Sequence, residues 1–569
     1  LNSPHIFTPD TAKFNMAGSL RVLIIGGYGE FGGRLCELLL RDGHAVIVAG
    51  RQIKKAEQFC LHNDAKPLQL NINTDLHRIA SLNVDVVVDA AGPFQSYGDD
   101  DQKYRVALTA LSCDAHYLDL SDDGNFTQGI VTLDNLAKKH NRFALSGASS
   151  TPALSGAAVS AMQSQFSTIE KIESSIFPGS RAPQGNSVMQ AILAQVGNPV
   201  DFWREGAWVK CKGWSEPTRK SIGQHITREA NLISTADVVL FPEHFNARTV
   251  LFRGGLAVPI MHKSLQWLGS LRRRSWLPVL TKFIKPLRLL ANLITPFGSD
   301  RGGMLVEITG CPTSALATDA DKFFKATWTL KAEPSYGPYV PTIAARAIIR
   351  NISMIEPGAR ACISELPLKK YVDAMQDIDV TTTEHTNEFN YLFKTSLNKD
   401  WEKLPEPLRQ THRFVDRKIL TGTAKVTRGT SPIGKLIAWV FRFPAARDNI
   451  PVQVTKTRVG DSEIWDRDFD GQTFRSTLST IPTNSFDVDG ATIQEQFGLL
   501  KFALQLPIFD EAMHMNVLSG SCLGIPIPTW LLPISDAREY VQNNRMHFSV
   551  ELLGPLKTGL IVRYEGSLE

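Results

Sequence analysis

Hydrophobic positions in the first quarter of the chain fall into short, continuous apolar runs separated by helical patterns. Val22-Leu23-Ile24-Ile25, Ala45-Val46-Ile47-Val48-Ala49 and the run from Val84 to Ala91 have the composition of strands buried on both faces. Shorter runs at 68–72, 115–120 and 142–145 continue the series. Between them Leu35, Leu38, Leu39 and Leu40 recur at helical spacing, as do apolar positions in 102–113 and 133–140. Strand and helix alternating in this way predict a doubly wound parallel sheet over residues 20–150. Ligands of such sheets sit at the carboxyl ends of the strands.

The rhythm changes after 150. Helical stretches at 156–165, 187–196 and 341–353 mix with strand-like runs at 171–176, 206–212, 236–241 and 303–310. They predict a mixed α/β domain over 151–372. Gly358 to Leu368 reads as its end or as a return to the first domain. Residues 373–388 carry Asp373, Asp377, Asp379, Glu384 and Glu388 around three threonines, and read as a polar linker. From 389 to 569 a helical stretch gives way to short strands separated by turns such as Gly460-Asp461 and Asp470-Gly471. The expected class is therefore α/β: a Rossmann-type doubly wound parallel sheet, a mixed α/β substrate domain, and a mostly antiparallel β C-terminal domain. Residues 1–19 read as a leader, with Met16 as an alternative start.

Composition narrows the function classes. The 569 residues carry a net charge of only +4, with 21% charged positions, which argues against disorder and against a general nucleic-acid binder. Seven scattered cysteines without a C-x-x-C pair suit a reducing compartment and give no zinc or other metal-binding pattern. Uncharged apolar runs fall short of the roughly 18–20 residues that span a bilayer, so a cytoplasmic setting is expected.

The chemistry concentrates where the first strand ends. Gly27, Gly29 and Gly32 fit G-x-G-x-x-G between a strand and a helix. Such a turn lets a pyrophosphate approach the backbone at a helix N-terminus. Gly26, Gly27, Tyr28, Gly29, Glu30, Phe31 and Gly32 are thus candidate dinucleotide contacts. An NAD site would place Asp or Glu at the tip of the second strand. Here Gly50, Arg51 and Gln52 stand there, followed by Lys54 and Lys55. A guanidinium in place of a carboxylate suits a 2′-phosphate, so the expected cofactor is NADP, bound in part by Arg51 and Gln52. Ala91, Gly92, Pro93 and Phe94, at the end of the fourth strand, fall beside the nicotinamide. Tyr97, Ser121, Asp122 and Asp123 are candidate substrate contacts or proton relays, with capping and turn chemistry as the plainer alternative. Arg301 could clamp a substrate carboxylate or serve as a turn arginine. The catalytic acid or base is left unassigned, since no Ser-Tyr-x-x-x-Lys set stands out.

Residues 244–299 contain no Asp or Glu. Within 263–294, basic and large apolar side chains alternate at helical spacing, interrupted by Pro278 and Pro286. This suits peripheral contact with an anionic membrane, or an amphipathic cover or homodimer interface. In the C-terminal domain, Glu463, Trp465, Arg467 and Phe469 share one strand face. They could line a ligand cavity, with Arg467 or Arg475 receiving an acyl carboxylate, or form a cross-strand ion pair beside core aromatics.

Gly26 to Gly32, Arg51, Ala91-Gly92-Pro93-Phe94 and His116-Tyr117-Leu118-Asp119-Leu120-Ser121 resemble, in order and spacing, the saccharopine dehydrogenase-like NADP-binding proteins. Gly302-Gly303-Met304-Leu305-Val306 and Gly358-Ala359-Arg360-Ala361-Cys362 resemble that family's second domain, extending the likeness over about 20–370. Beyond 388 the chain resembles a domain of uncharacterised function that follows this module in some bacterial proteins. The marks include Leu404-Pro405, His412-Arg413, Glu463 to Phe469, Leu523 to Pro526 and Arg563-Tyr564-Glu565-Gly566. The resemblance implies an NADP-dependent oxidoreductase acting on a small molecule, lipid-like in some members. Saccharopine itself is disfavoured, because the loops lack a set of cations for its carboxylates. Two alternatives stand beside this reading: a non-catalytic dinucleotide-sensing or lipid-binding module, and a membrane-peripheral lipid enoyl reductase.

Overall fold

A computed structural model describes residues 18–98, 100–181, 186–223, 226–273, 286–287, 289, 293–313, 322–481, 490–555 and 558–569. Most of the leader, and residues 274–285, 288 and 290–292 of the basic stretch, lie outside the described residues.

The first apolar runs form β1 (Arg21–Ile25), β2 (Ala45–Gly50), β3 (Lys66–Gln69), β4 (Val86–Asp89), β5 (His116–Asp119) and β6 (Phe143–Ser146). Val22 to Ile24 and Val86 to Val88 are fully buried, as continuous apolar strands must be when helices cover both faces. The mixed module supplies β7 (Phe166–Phe177), β8 (Pro199–Arg204), β9 (Ala207–Lys212), β10 (Thr218–Ser221), β11 (Thr227–Leu232), β12 (Thr249–Gly254), β13 (Gly302–Pro312) and β14 (Phe323–Ala332). Two later strands follow, β15 (Gly358–Ala361) and β16 (Val380–Phe389). The first sheet is parallel throughout, in the order β15-β6-β5-β4-β1-β2-β3. The chain reverses direction across the sheet between β1 and β4, which makes the crevice at their carboxyl ends the place for a ligand.

Three expectations need correction. The 151–372 region is not one contiguous domain, because β15 returns to the first sheet and pairs with β6. The expected linker at 373–388 is largely a strand: β16 pairs with β14 from Phe323↔Phe389 to Ala332↔Val380, on the edge of the second sheet. Its polar, mostly exposed side chains disguised it, since an edge strand needs backbone partners more than apolar side chains. The run at 236–241 is a helix, Ala236–His244, that buries Ala236, Val238, Leu240 and Phe241. A short helix buried on most sides carries the same continuous apolar run as a strand.

The second sheet runs β10-β11-β12-β7-β13-β14-β16, with the β8–β9 hairpin attached at β12. Its inner face (Met304, Val306, Ile308, Trp328 and Leu330) shares one core with the first sheet's helices. The helix Glu30–Arg41 is gripped at its C-terminal end. Asp42 accepts from Arg346 and Arg350, and Glu37 accepts from the Tyr339 hydroxyl.

The C-terminal module is an antiparallel sheet, thirteen-stranded among the described residues, that curls over its own core. It comprises β17 (Arg417–Arg428), β18 (Arg447–Val459), β19 (Ser462–Phe469), β20 (Gln472–Thr480), β21 (Thr492–Phe497), β22 (Leu500–Gln505), β23 (Ile508–Phe509) and β24 (Ala512–His514). The series closes with β25 (Asn516–Cys522), β26 (Ile525–Ile527), β27 (Ile534–Gln542), β28 (Arg545–Leu553) and β29 (Leu560–Leu568). A buried ion-pair network joins this module to the second. Arg204 makes paired bonds of 2.9 and 2.6 Å to Glu216 and lies 3.4 Å from Asp416. Arg253, Lys220, Glu173 and Glu307 extend the network across the outer face of the second sheet.

Candidate functional site

At the carboxyl end of β1 the backbone turns through Gly26, whose φ of +78° belongs to the left-handed region. A Cβ on Gly26 would lie 2.8 Å from the Ala90 carbonyl oxygen, and one on Gly32 only 2.3 Å from that of Gly26. The turn can therefore be this tight only with glycine at both positions. The helix Glu30–Arg41 starts at Gly29 with no side-chain cap. Its first N–H groups are left for an anion, which the helix dipole favours. Glu30 pairs with Arg34 at 3.4 Å, and burial raises its carboxyl. Phe31 is half-buried.

Tyr28 leans over Gly50 at the tip of β2, where a Cβ would meet its ring at 2.4 Å, and its hydroxyl accepts the Gln52 N–H at 3.1 Å. Arg51 is exposed beside it. Its carbonyl accepts from Gln69, while its guanidinium has no partner among the described residues. The glycine turn, an uncapped helix start and Arg51 thus follow the carboxyl ends of the neighbouring strands β1 and β2. A Gly-rich turn with no Cβ to fill the approach fits a dinucleotide phosphate.

Two buried carboxyls, missed by the sequence reading, hold the neighbouring loops. Asp89 and Asp119 end β4 and β5 in register. Asp89 accepts the Ala91 N–H and, through both oxygens, the Tyr97 hydroxyl, all at 3.0 Å. Burial pushes its pKa up to about 7, with Asp119 adding to the rise. Asp119 accepts from Ser121 N–H at 3.0 Å, the Ser146 hydroxyl at 3.0 Å and Gly147 N–H at 2.8 Å. Burial raises it to about 6. A carboxyl closing an apolar strand (Val-Val-Val-Asp, Tyr-Leu-Asp) was the available signal. A third buried acid, Asp237, accepts from the Ser155 hydroxyl at 2.9 Å and is raised by burial to about 7.

These contacts revise the substrate candidates. Tyr97 is buried, with its hydroxyl on Asp89 and its ring 5.2 Å from Phe94 and 5.8 Å from Phe126, so it is core and not a loop contact. Phe94 belongs to the same buried cluster. Ala91 is exposed, and Gly92 and Pro93 half-exposed, on the crevice loop. Asp123 caps the helix Gly124–Gly129 by accepting Phe126 N–H at 2.7 Å. The Ser121 hydroxyl is buried and accepts from Asp123 N–H. Asp122 is exposed, and its carbonyl accepts Ala236 N–H at 3.0 Å, which brings the helix Ala236–His244 against this loop. Arg301 immediately precedes β13 and pairs with Glu333 at 2.7 Å, the turn role that was its plainer alternative. In the basic stretch, the helix Pro259–Arg273 seats Leu265 and Leu268 on the buried Trp214 and leaves Trp267 exposed.

In the C-terminal module, Trp465 stands at the centre of a buried polar cluster. Lys456 lies 4.0 Å above its ring, and Glu463 accepts its indole N–H at 3.0 Å. His412 bonds Glu539 at 2.7 Å and faces Lys456 at 3.4 Å. Burial lowers Lys456 to about 8 and His412 to about 4. Residues 404–568 match the family model described as Domain of unknown function (DUF4166). This DUF4166 region contains every described strand of the curled sheet, and the polar cluster belongs to it.

No curated protein matches the chain. Among solved structures, apo saccharopine dehydrogenase (L-Glu forming) from Saccharomyces cerevisiae is 13% identical over 64% of this chain and 100% of that one, with a TM-score of 0.46. A probable dehydrogenase from Thermotoga maritima is 10% identical over 63% and 93%, with a TM-score of 0.31. GenD2 from gentamicin A biosynthesis, in complex with NAD, is 14% identical over 54% and 74%, with a TM-score of 0.26. Likenesses this distant leave the chemistry of the chain to its own residues. Among the described residues no cluster of His, Cys, Asp and Glu could hold a metal, and no helix is long and apolar enough to cross a membrane.

Proposed function

We propose that the chain is a nicotinamide-dinucleotide-dependent oxidoreductase that prefers NADP(H) and acts on a small molecule at the carboxyl end of the parallel sheet. The observation that carries the preference is the exposed Arg51 at the tip of β2, its guanidinium without a partner among the described residues, where an NAD site would present a carboxylate. When bound, the nicotinamide supplies or accepts the hydride. The chain's own part is placement. The backbone at Gly26–Gly32 receives the pyrophosphate, and Arg51 and the Gln52 backbone flank the adenosine end. Asp89 and Asp119 are positioning residues that hold the loops at 91–97 and 121–123, beside the nicotinamide end.

Titration of the full chain with NADPH and NADH tests the reading. NADPH binds more tightly, and Arg51→Ala removes most of the difference, since one charge-assisted contact is worth ~1.5–3 kcal/mol, or roughly 10- to 100-fold in affinity. Equal affinity for the two nucleotides in the parent protein refutes the NADP preference, and absence of binding to either refutes the oxidoreductase reading. NADPH-oxidation assays over 2-oxo acids, imines and enoyl lipids then select the substrate class.

A further inference from the structure

A partly open cavity of about 130 Å³ lies within the curl of the DUF4166 sheet, room for one end of an apolar chain. Its wall is apolar and largely aromatic, with Phe441, Phe497, Phe502, Leu504, Val550 and Leu552 among the lining side chains. Among the described residues, the charged side chains that line it are Arg467 and Glu495. Arg467 donates to the Ser476 hydroxyl at 2.8 Å and to Glu495 at 3.2 Å. Those bonds engage only part of a guanidinium that has five N–H donors. Because Glu495 already balances the cation, a guest's polar end need bring only an uncharged oxygen.

Two of the lining residues belong to segments with an unusually apolar surface. Phe441, at the end of the helix Pro432–Val440, lies 6.0 Å from Phe497. The turn after Phe497 carries Leu499, whose carbonyl accepts the Leu523 N–H at 3.1 Å. These links join three segments whose apolar side chains point outward: Trp439 is 77% exposed, Leu499 62%, Leu523 72% and Ile525 71%. Lys435, Arg442 and Lys501 are exposed on the same segments. No Asp or Glu occurs between Gly429 and Arg447. Large exposed apolar groups with cations on the same linked segments suit an anionic bilayer surface.

We propose that the DUF4166 region is a lipid-handling module: its cavity takes the hydroxyl- or carbonyl-bearing end of a long apolar molecule, drawn from an anionic bilayer on which the rim around Trp439 and Leu523 docks. The guest's oxygen receives an N–H from Arg467, and its chain lies along the phenylalanine wall. The site is separate from the dinucleotide crevice and does not depend on the reading given to that crevice.

The test uses the full chain, pyrene-dodecanol as probe, and phosphatidylcholine vesicles with or without phosphatidylglycerol. The parent protein binds the probe saturably in buffer. Ala537→Phe, which adds a ring to the lining, weakens binding at least ~10-fold, the loss expected for about 1.4 kcal/mol. Val550→Phe serves if the first variant does not fold. Trp439→Ser/Leu523→Ser leaves affinity in buffer within about 2-fold. It slows uptake from anionic vesicles at least ~10-fold, because two large apolar side chains no longer enter the bilayer surface. Non-saturable binding, or full affinity in a folded cavity-filled variant, overturns the cavity assignment. Unchanged uptake by the rim variant overturns the docking surface, and loss of self-association in that variant would instead assign the rim to a second copy of the chain. NADPH titration of the same samples is unaffected by these substitutions, so failure here is distinguishable from failure of the oxidoreductase reading.

Discussion

Asp89→Asn isolates the electrostatic cost of the strand-end carboxyl. In the folded chain Asp89 is fully buried with a pKa raised to about 7, against the ordinary 3.8 that it regains on unfolding. Between those values the native state holds a proton that the unfolded state has released, so stability falls as pH rises through that window. At about 1.36 kcal/mol per pH unit, the full change amounts to ~4 kcal/mol, present below pH 4 and lost above pH 7. Asparagine cannot ionise, yet its oxygen still accepts the Ala91 N–H and its amide still bonds the Tyr97 hydroxyl. The variant is therefore no more stable than the parent at pH 4 and more stable by up to ~4 kcal/mol at pH 8. All ten tryptophans follow residue 202, so tryptophan fluorescence would miss the first sheet. Hydrogen exchange read by mass spectrometry on peptides spanning 84–97 reports it directly. Comparing both proteins at each pH cancels the intrinsic pH dependence of exchange. Protection that changes with pH identically in the two proteins would refute the raised carboxyl and the argument built on it.

Three further outcomes are expected. Gly32→Ala drives a methyl to 2.3 Å from the Gly26 carbonyl oxygen; opening the turn costs ~1–3 kcal/mol locally and abolishes nucleotide binding, seen by titration, while tryptophan fluorescence of the later modules is unchanged. Arg204→Ala strands Glu216 and Asp416 in a buried interface; the loss of ~3–5 kcal/mol appears as earlier thermal unfolding and faster proteolysis between the second and third modules. His412, lowered to about 4 by burial with Lys456 opposite, is neutral in the fold but protonates on unfolding below its ordinary 6.5. Stability of the DUF4166 region thus drops by ~3 kcal/mol as pH falls from 6.5 to 4, and His412→Gln shifts the acid midpoint read from Trp465 fluorescence downward.

Legibility followed burial. Fully buried parallel strands announce themselves as apolar runs, so β1, β2 and β4 were readable, as was the glycine turn, whose requirement is local backbone geometry. Strand β16 was not, because an edge strand is held by its ladder with β14 while its threonines and glutamates face solvent. The helix Ala236–His244 was misread because burial on most sides erases the helical period. Tyr97 had the residue type of a site group, but its position in a packed aromatic cluster was invisible along the chain.

The amino-acid sequence by itself determined the order of the modules, the dinucleotide turn and the cationic tip of the second strand, because each depends on residues within about 30 positions of one another. Tertiary structure alone decided which acids are buried side by side, that Arg204 meets Asp416 across 212 steps of chain, and that the C-terminal strands curl around an apolar cavity. Those features arise from long-range strand pairing, and no local pattern encodes the partner of a strand edge or the space left when a sheet curls over its own core.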